Sequence, residues 1–103
     1  MDCTSVIVGT VLKYRVTATC EGFSMQEDDF YVELQLAASG RKLRIEKDEM
    51  FIDIDENYYF FFDTADPGPG DYYVTTVMFV KDTDADGEVR KVVDRQFLVT
   101  VEP

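Results

Sequence analysis

The 103-residue chain contains no histidine, no tryptophan and only two cysteines. Without histidine, it lacks the commonest general base, the commonest zinc ligand and the base of Ser-His and Cys-His nucleophile pairs. It also has neither a glycine-rich phosphate loop nor a nucleophile elbow. Two carboxylates can hydrolyse glycosides, but among 21 acidic residues a suitable pair arises by chance, and a chain this short has little room for a sugar cleft. We therefore predict that the protein is not an enzyme.

Positive charge is also scarce. Ten Lys and Arg residues face 21 Asp and Glu residues, which gives a formal net charge of −11 and a pI near 4.2. A surface this acidic repels phosphate backbones and anionic lipids, so duplex nucleic acid and membranes are poor partners. An acidic inhibitor that mimics nucleic acid is compatible with this charge, and so is a merely well-solvated surface.

No stretch approaches the roughly 20 apolar residues that a membrane-spanning helix needs. The N-terminus, MDCTSVIVGTVLKYR, has no cationic start, and Gly9 and Thr10 break its apolar run, so it does not read as a signal peptide. We expect a cytoplasmic or virion-associated protein, or an extracellular one if a leader has been removed. Cys3 and Cys20 have no CxxC spacing, which predicts two reduced thiols, or a bridge between them in an oxidising compartment.

What the sequence does have is period-two alternation of apolar and polar residues along nearly its whole length. The clearest segments are TVLKYRVTAT, FYVELQLAA, NYYFFFDT, DYYVTTVMFVKD and EVRKVVDRQFLVTV, with shorter candidates at residues 5–8 and at MFIDID, residues 50–55. KLRIEK is expected to be an edge strand because Lys42, Arg44 and Glu46 line one face. About seven short strands with regular turn signals predict a single domain, residues 1–103, that folds as an all-β, two-sheet antiparallel immunoglobulin-like β-sandwich.

The segment PGDYYV supports the immunoglobulin-like prediction. In such sandwiches a tyrosine at the start of the penultimate strand often folds its hydroxyl back onto the preceding turn, forming a tyrosine corner. Tyr72 occupies the corresponding place, two residues after Gly70. The inward face of this strand is then predicted to hold Tyr72, Val74, Thr76, Met78 and Val80. The cysteine pair and tryptophan of antibody domains are absent, so the similarity is to the architecture alone.

Residues 80–92, VKDTDADGEVRKV, have the aspartate spacing of part of a calcium-binding loop. Asp82, Asp84, Asp86 and Gly87 match positions one, three, five and six of an EF-hand, but Val93 stands where the twelfth position needs a glutamate. The flanks read as strands and not as helices. Asp-Gly between alternating runs favours a hairpin turn. A weak calcium site at Asp82, Asp84 and Asp86 stays open, and no other cofactor is indicated.

Several aromatic residues fall on strand faces opposite the expected core: Tyr31, Tyr59, Phe61 and Tyr73. Grouped on one sheet face, they would form an interface with another protein or stack on sugar rings. The alternative is that both sheets contribute aromatics to one core. Eight Phe and six Tyr are many for so small a sandwich to bury, which favours some exposed rings.

Over its full length the layout resembles small immunoglobulin-like proteins of bacteriophage tails and baseplates and of prophage regions in Bacteroides-type bacteria. The resemblance rests on the opening strand after Gly9, the FYVEL strand, the turn DTADPGPGDYYV and the closing hairpin KDTDADGEVRKVV. It implies a structural or adaptor role in protein assembly, by self-association or with a protein partner, and no catalysis. The alternative is a carbohydrate-binding module of a bacterial surface protein; a small-molecule ligand other than a glycan is not expected.

Overall fold

A computed structural model describes residues 5–17, 21–82, 84 and 87–103. Cys3, Cys20 and Asp86 lie outside these residues, and so does the side chain of Asp82, so the predictions that concern them stay untested. Apart from one 3-10 turn at Lys47–Glu49, the regular structure of the described chain is all strand. No helix in this part of the chain has the length and apolar character needed to cross a bilayer.

The described residues form eight strands, which confirms the all-β prediction and adds one strand to the expected number. Both short candidates, at the N-terminus and at MFIDID, are strands of two or three residues. In chain order the strands are β1 Ser5–Ile7, β2 Val11–Arg15, β3 Phe30–Leu36, β4 Arg41–Glu46, β5 Phe51–Ile52, β6 Tyr58–Asp63, β7 Gly70–Asp82 and β8 Gly87–Glu102.

The strands form two sheets. The large sheet has the order β1-β8-β7-β3-β4, and the small sheet has the order β2-β6-β5. β4, the KLRIEK strand, lies at an edge of the large sheet as predicted. The expectation of fully antiparallel sheets is wrong at one place, because β1 runs parallel to β8 with Ser5 opposite Thr100. Alternation reports which face a side chain occupies but carries no information on strand direction, so the sequence pattern could not reveal this pairing.

Side chains of both sheets meet in one core. Phe30 of β3 contacts Tyr58 of β6 edge to face, with 5.3 Å between ring centroids, and Phe62 of β6 lies 6.1 Å from Tyr72 of β7. The five residues predicted for the inward face of β7 are all at most 5% exposed. Along β6, burial alternates so that Tyr58, Phe60 and Phe62 face the core. The sandwich thus buries every second aromatic of YYFFF and leaves the others outside.

Tyr72 contacts the turn that connects β6 of the small sheet to β7 of the large sheet. Its side chain is 1% exposed, and its hydroxyl donates a 2.6 Å hydrogen bond to the carbonyl oxygen of Gly68 in the preceding turn. This is the hydrogen bond that a tyrosine corner requires. Burial raises the pKa of the Tyr72 hydroxyl, with a nearby aspartate, Asp66, adding to the shift against an opposing effect of Arg41. The hydroxyl therefore stays protonated and able to donate.

Tyr72→Phe is expected to lower the free energy of unfolding by about 1 kcal/mol, because it removes one hydrogen bond and leaves the Gly68 carbonyl without this donor. Chemical denaturation of the purified variant measures the change. Tyr73→Phe removes a hydroxyl from the next residue, on the opposite face of the strand, and is the matched control. Equal stabilities of the two variants would contradict a stabilising role for the corner.

Candidate interaction surface

The four aromatic residues predicted to be exposed are divided between two opposite faces of the sandwich. Tyr59 and Phe61 project from β6 on the outer face of the small sheet. Tyr31 of β3 and Tyr73 of β7 project from the outer face of the large sheet, where each is opposite to the core-facing residues beside it. Each ring lies on the strand face that the alternation predicts. However, β3 pairs with β7 in the large sheet and β6 pairs with β2 in the small sheet, so the four rings lie on two different sheets. They do not form one stripe.

On the large sheet, the chain covers its own tyrosines. The Arg44 guanidinium carbon lies 3.6 Å from the ring centroid of Tyr31, and Phe79 packs against the same ring at 6.1 Å. Tyr31 is only 6% exposed, so the expectation that it is accessible is wrong. Arg95 lies 4.9 Å from the ring centroid of Tyr73. The covering arginines come from the next strand in each case, Arg44 from β4 and Arg95 from β8, so their contacts depend on strand register, which alternation within β3 or β7 does not reveal.

On the small sheet, three rings contact one another; two of them are exposed and the third, Tyr59, is half-buried. We call these rings, Phe51, Tyr59 and Phe61, the aromatic cluster. The ring centroids are 5.6 Å apart for Phe51 and Tyr59, 5.8 Å for Tyr59 and Phe61, and 6.3 Å for Phe51 and Phe61. Phe51 is 56% exposed and Phe61 is 53% exposed. Contiguous exposed aromatics are uncommon on the surfaces of soluble proteins and are typical of interaction sites. The cluster is the strongest candidate for a functional surface on the described chain.

Strand pairing accounts for the cluster. Phe51 of β5 is opposite Tyr59 of β6, and Phe61 is two residues further along the same face. On the other side of β6, Lys13 of β2 places its ammonium nitrogen 4.3 Å from the Tyr59 centroid. Phe51 was not among the residues singled out from the sequence. The alternation in MFIDID was the available signal, but only the pairing of β5 with β6 shows which rings Phe51 joins.

A turn at the end of β5 holds the cluster in place. Asp53 Oδ1 accepts hydrogen bonds from the backbone N–H groups of Asp55 at 2.9 Å and of Asn57 at 3.0 Å, and Asp53 Oδ2 lies 3.4 Å from an Arg15 nitrogen. The Asn57 hydrogen bond is the main cause of a lowered pKa for Asp53; partial desolvation opposes it, while the Asp55 hydrogen bond and the Arg15 charge add to it. The ionised carboxylate therefore organises the link between β5 and β6.

Asp53→Asn is expected to destabilise the protein at neutral pH. The folded-state pKa of Asp53 is lowered, so its contribution to stability is present above the ordinary value of 3.8 and is lost as the pH falls through the folded-state pKa. The denaturation midpoints of wild type and variant should therefore converge as the pH falls from 3.8 through the folded-state pKa of Asp53. Asp55→Asn removes a neighbouring charge without touching these bonds and is the control. A midpoint difference independent of pH would contradict the role of the charge.

A groove of about 520 Å³ lies where the 3-10 turn leads into β5, on the opposite face of β5 and β6 from the aromatic cluster, because Ile52 and Tyr58 alternate with Phe51 and Tyr59. Its apolar wall includes Met50, Ile52 and Tyr58, and three of its other lining residues are acidic: Asp29, Glu46 and Asp48. The one lysine in the lining, Lys47, is already engaged, since its ammonium group donates to the carbonyl oxygens of Asp28 at 2.7 Å and Gln26 at 3.2 Å. The groove is therefore separate from the aromatic cluster.

The stretch that forms β5, β6 and their connections is strongly acidic. Residues 46–63 contain seven carboxylates and one lysine, a formal charge of −6 out of −11 for the whole chain. The carboxylates lie in the turn before β5, in the link between β5 and β6, and at the end of β6: Glu46, Asp48, Glu49, Asp53, Asp55, Glu56 and Asp63. One third of the chain's 21 carboxylates thus lie in the stretch that includes β5 and β6.

The aspartate-rich segment joins two strands. Asp82 of β7 is the last residue paired with β8, opposite Gly87, whose φ of 124° lies in the region that favours glycine. Strands on both sides of the loop are incompatible with an EF-hand, which needs helices there. Asp84 is exposed, and the prediction of a weak calcium site rests also on Asp86 and the Asp82 side chain, which lie outside the described part. Within that part, no three His, Cys, Asp or Glu residues are grouped as metal ligands.

Comparison of the chain with protein-family models, with curated proteins and with solved structures finds no match. Its function is therefore inferred from the fold, the aromatic cluster and the distribution of charge around that cluster.

Proposed function

We propose that the protein is an immunoglobulin-like, non-enzymatic structural or adaptor module that binds another protein through the aromatic cluster. The observation that carries this proposal is the exposure of Phe51 and Phe61 in mutual contact with Tyr59 on a regular sheet face. Aromatic residues are enriched in the centres of protein interfaces because they bury a large apolar area at a low entropy cost. A rigid sheet also holds the rings in fixed positions before the partner arrives.

The strand order supports the immunoglobulin-like part of the proposal. An immunoglobulin sandwich packs a sheet containing strands B, E and D against one containing G, F and C, and the variable type extends the second sheet beyond C. The orders β2-β6-β5 and β8-β7-β3-β4 correspond to these two sheets. Tyr72 stands near the start of the strand that corresponds to F, with its hydroxyl on the preceding turn.

Within this role, we propose a component of a phage-like or prophage-like assembly, following the resemblance of the turn and strand layout to tail and baseplate proteins of Bacteroides-type bacteria. Such a component needs a stable scaffold and a docking surface, and both features are compatible with the sandwich and the aromatic cluster. No catalytic step is part of the proposal.

Carbohydrate binding is the alternative function, and the ring geometry favours protein binding over it. A sugar stacks on an aromatic ring with an open face. Tyr59 lies between Lys13, on the side of β2, and Phe51, on the side of β5, while Phe61 is perpendicular to it. Tyr73, the third residue expected in a sugar platform, belongs to the opposite sheet. A glycan array separates the two functions, since binding abolished by Phe61→Ser would favour the carbohydrate module.

The test of the proposal is selection of binders from a random 16-residue peptide display library against wild type, with counter-selection against the double variant Phe51→Ser, Phe61→Ser. Phe97→Ser, which removes a 44% exposed ring from the opposite sheet, is the matched control. We expect peptides that bind wild type and Phe97→Ser but not the double variant. If no selected peptide discriminates the double variant from the control, the proposal is wrong.

A further inference from the structure

We infer that the partner of the aromatic cluster presents arginine or lysine side chains, so that a cationic, partly apolar protein segment docks on the small sheet. This inference rests on the proposed function and adds the chemistry of the partner. Two independent observations support it: the way in which the chain covers its other aromatic face, and the charge around the cluster.

On the outer face of the large sheet, the chain covers its own tyrosine rings with arginine side chains. There, Arg44 stacks on Tyr31 and Arg95 lies over Tyr73, at 3.6 Å and 4.9 Å from the ring centroids. On the small sheet, Lys13 contacts Tyr59, but among the described residues no cation lies over Phe51 or Phe61. A guanidinium or ammonium group from a partner would supply to these two rings the contact that the chain supplies itself on the other face.

The charge distribution favours the same partner. The turn before β5, the link between β5 and β6 and the end of β6 carry Asp48, Glu49, Asp53, Asp55, Glu56 and Asp63, while the nearby cations are Arg15, which is paired with Asp53, and Lys13, which lies over Tyr59. A cationic segment approaching this face is therefore attracted, whereas an acidic one is repelled.

The same charges disfavour a second copy of this chain as the occupant. Each copy carries a formal charge of −11, and pairing two small sheets would bring two acidic borders together. Like charges brought together across an interface oppose association, most strongly at low ionic strength. Size-exclusion chromatography with light scattering decides this point. An oligomer that the double variant Phe51→Ser, Phe61→Ser converts to a monomer would overturn the cationic-partner inference in favour of self-association.

The peptides selected above test the inference separately from the proposed function. Peptides that need Phe51 and Phe61 for binding are expected to be enriched in Arg and Lys relative to the unselected library. One such synthetic peptide, measured by calorimetry, should bind about tenfold more weakly to Asp48→Asn, Asp55→Asn, because two attractive charges are removed from the border. The control, Asp71→Asn, Glu102→Gln, removes two charges from the large sheet and should bind as wild type does.

The outcomes are distinguishable. Peptides that depend on the two phenylalanines but are neutral or acidic would overturn the cationic-partner inference and leave the proposed function standing. Peptides that are cationic but bind the double variant as tightly as wild type would overturn both. Equal weakening by the two charge variants would show attraction to the net charge alone, and would also overturn the inference.

Discussion

Phe30→Ala is expected to lower the free energy of unfolding by about 3–5 kcal/mol. Phe30 is fully buried and contacts Tyr58 of the facing sheet at 5.3 Å and Phe23 at 5.9 Å, both edge to face. Removal of the ring eliminates a large apolar burial and leaves a cavity between the sheets. Because small domains are stable by only about 5–15 kcal/mol in total, such a loss is a substantial part of the whole.

Phe61→Ala is the matched control, since it makes the same chemical change on the other side of the small sheet. Phe61 is 53% exposed, and its removal leaves no enclosed cavity, so we expect a loss below about 1 kcal/mol. Urea denaturation of both variants, with the midpoint and slope fitted together, measures the difference. Similar losses in the two variants would contradict the assignment of Phe30 to the core and Phe61 to the surface.

Gly70→Ala is expected to lower stability by about 2–4 kcal/mol, combining backbone strain with overpacking. Gly70 begins β7 with a φ of 138°, a conformation that residues with a side chain rarely adopt. A β-carbon there would lie 2.6 Å from Cδ1 of Leu36, a core residue with little room to move. The substitution also acts two residues before Tyr72, so it displaces the backbone that positions the tyrosine corner.

Gly40→Ala separates the two contributions. Gly40 also has a positive φ, 72°, but a β-carbon there meets no atom within 4 Å. Its substitution should therefore cost only the backbone strain, about 1 kcal/mol. Thermal or chemical denaturation of the two variants gives, as the difference, the steric part together with the extra backbone strain at the larger φ of Gly70. If Gly70→Ala were no more destabilising than Gly40→Ala, the close approach of Gly70 to Leu36 would have no energetic consequence.

The alternation along β7 illustrates what could be predicted. Tyr72, Val74, Thr76, Met78 and Val80 were assigned to the core from their spacing, and all five are buried. Alternation decides the face of a strand because successive side chains point in opposite directions. The same logic placed Phe61 outside the core and marked β4 as an edge strand. These features depend on residues close in sequence, so they can be predicted from the sequence of one chain.

The aromatic cluster illustrates what could not be predicted. Tyr31 and Phe61 have similar local patterns, an aromatic residue flanked by core residues on a regular strand. Tyr31 is nevertheless covered by Arg44 and Phe79, while Phe61 is open. The difference arises from the neighbouring strands, since β3 lies between β4 and β7, whereas β6 lies between β2 and the two-residue β5.

From the sequence alone we could predict the strand class of the fold, the two-sheet arrangement, the inward face of β7, the likeness of Tyr72 to a tyrosine corner and the acidic character of the surface. These follow from alternation, turn chemistry and charge, which act over a few residues or over the whole composition. Three features became visible only in the folded chain: the parallel pairing of β1 with β8, the covering of Tyr31 and the contacts among Phe51, Tyr59 and Phe61. Those features depend on strand order and register, which alternation leaves open and which determine which side chains become neighbours.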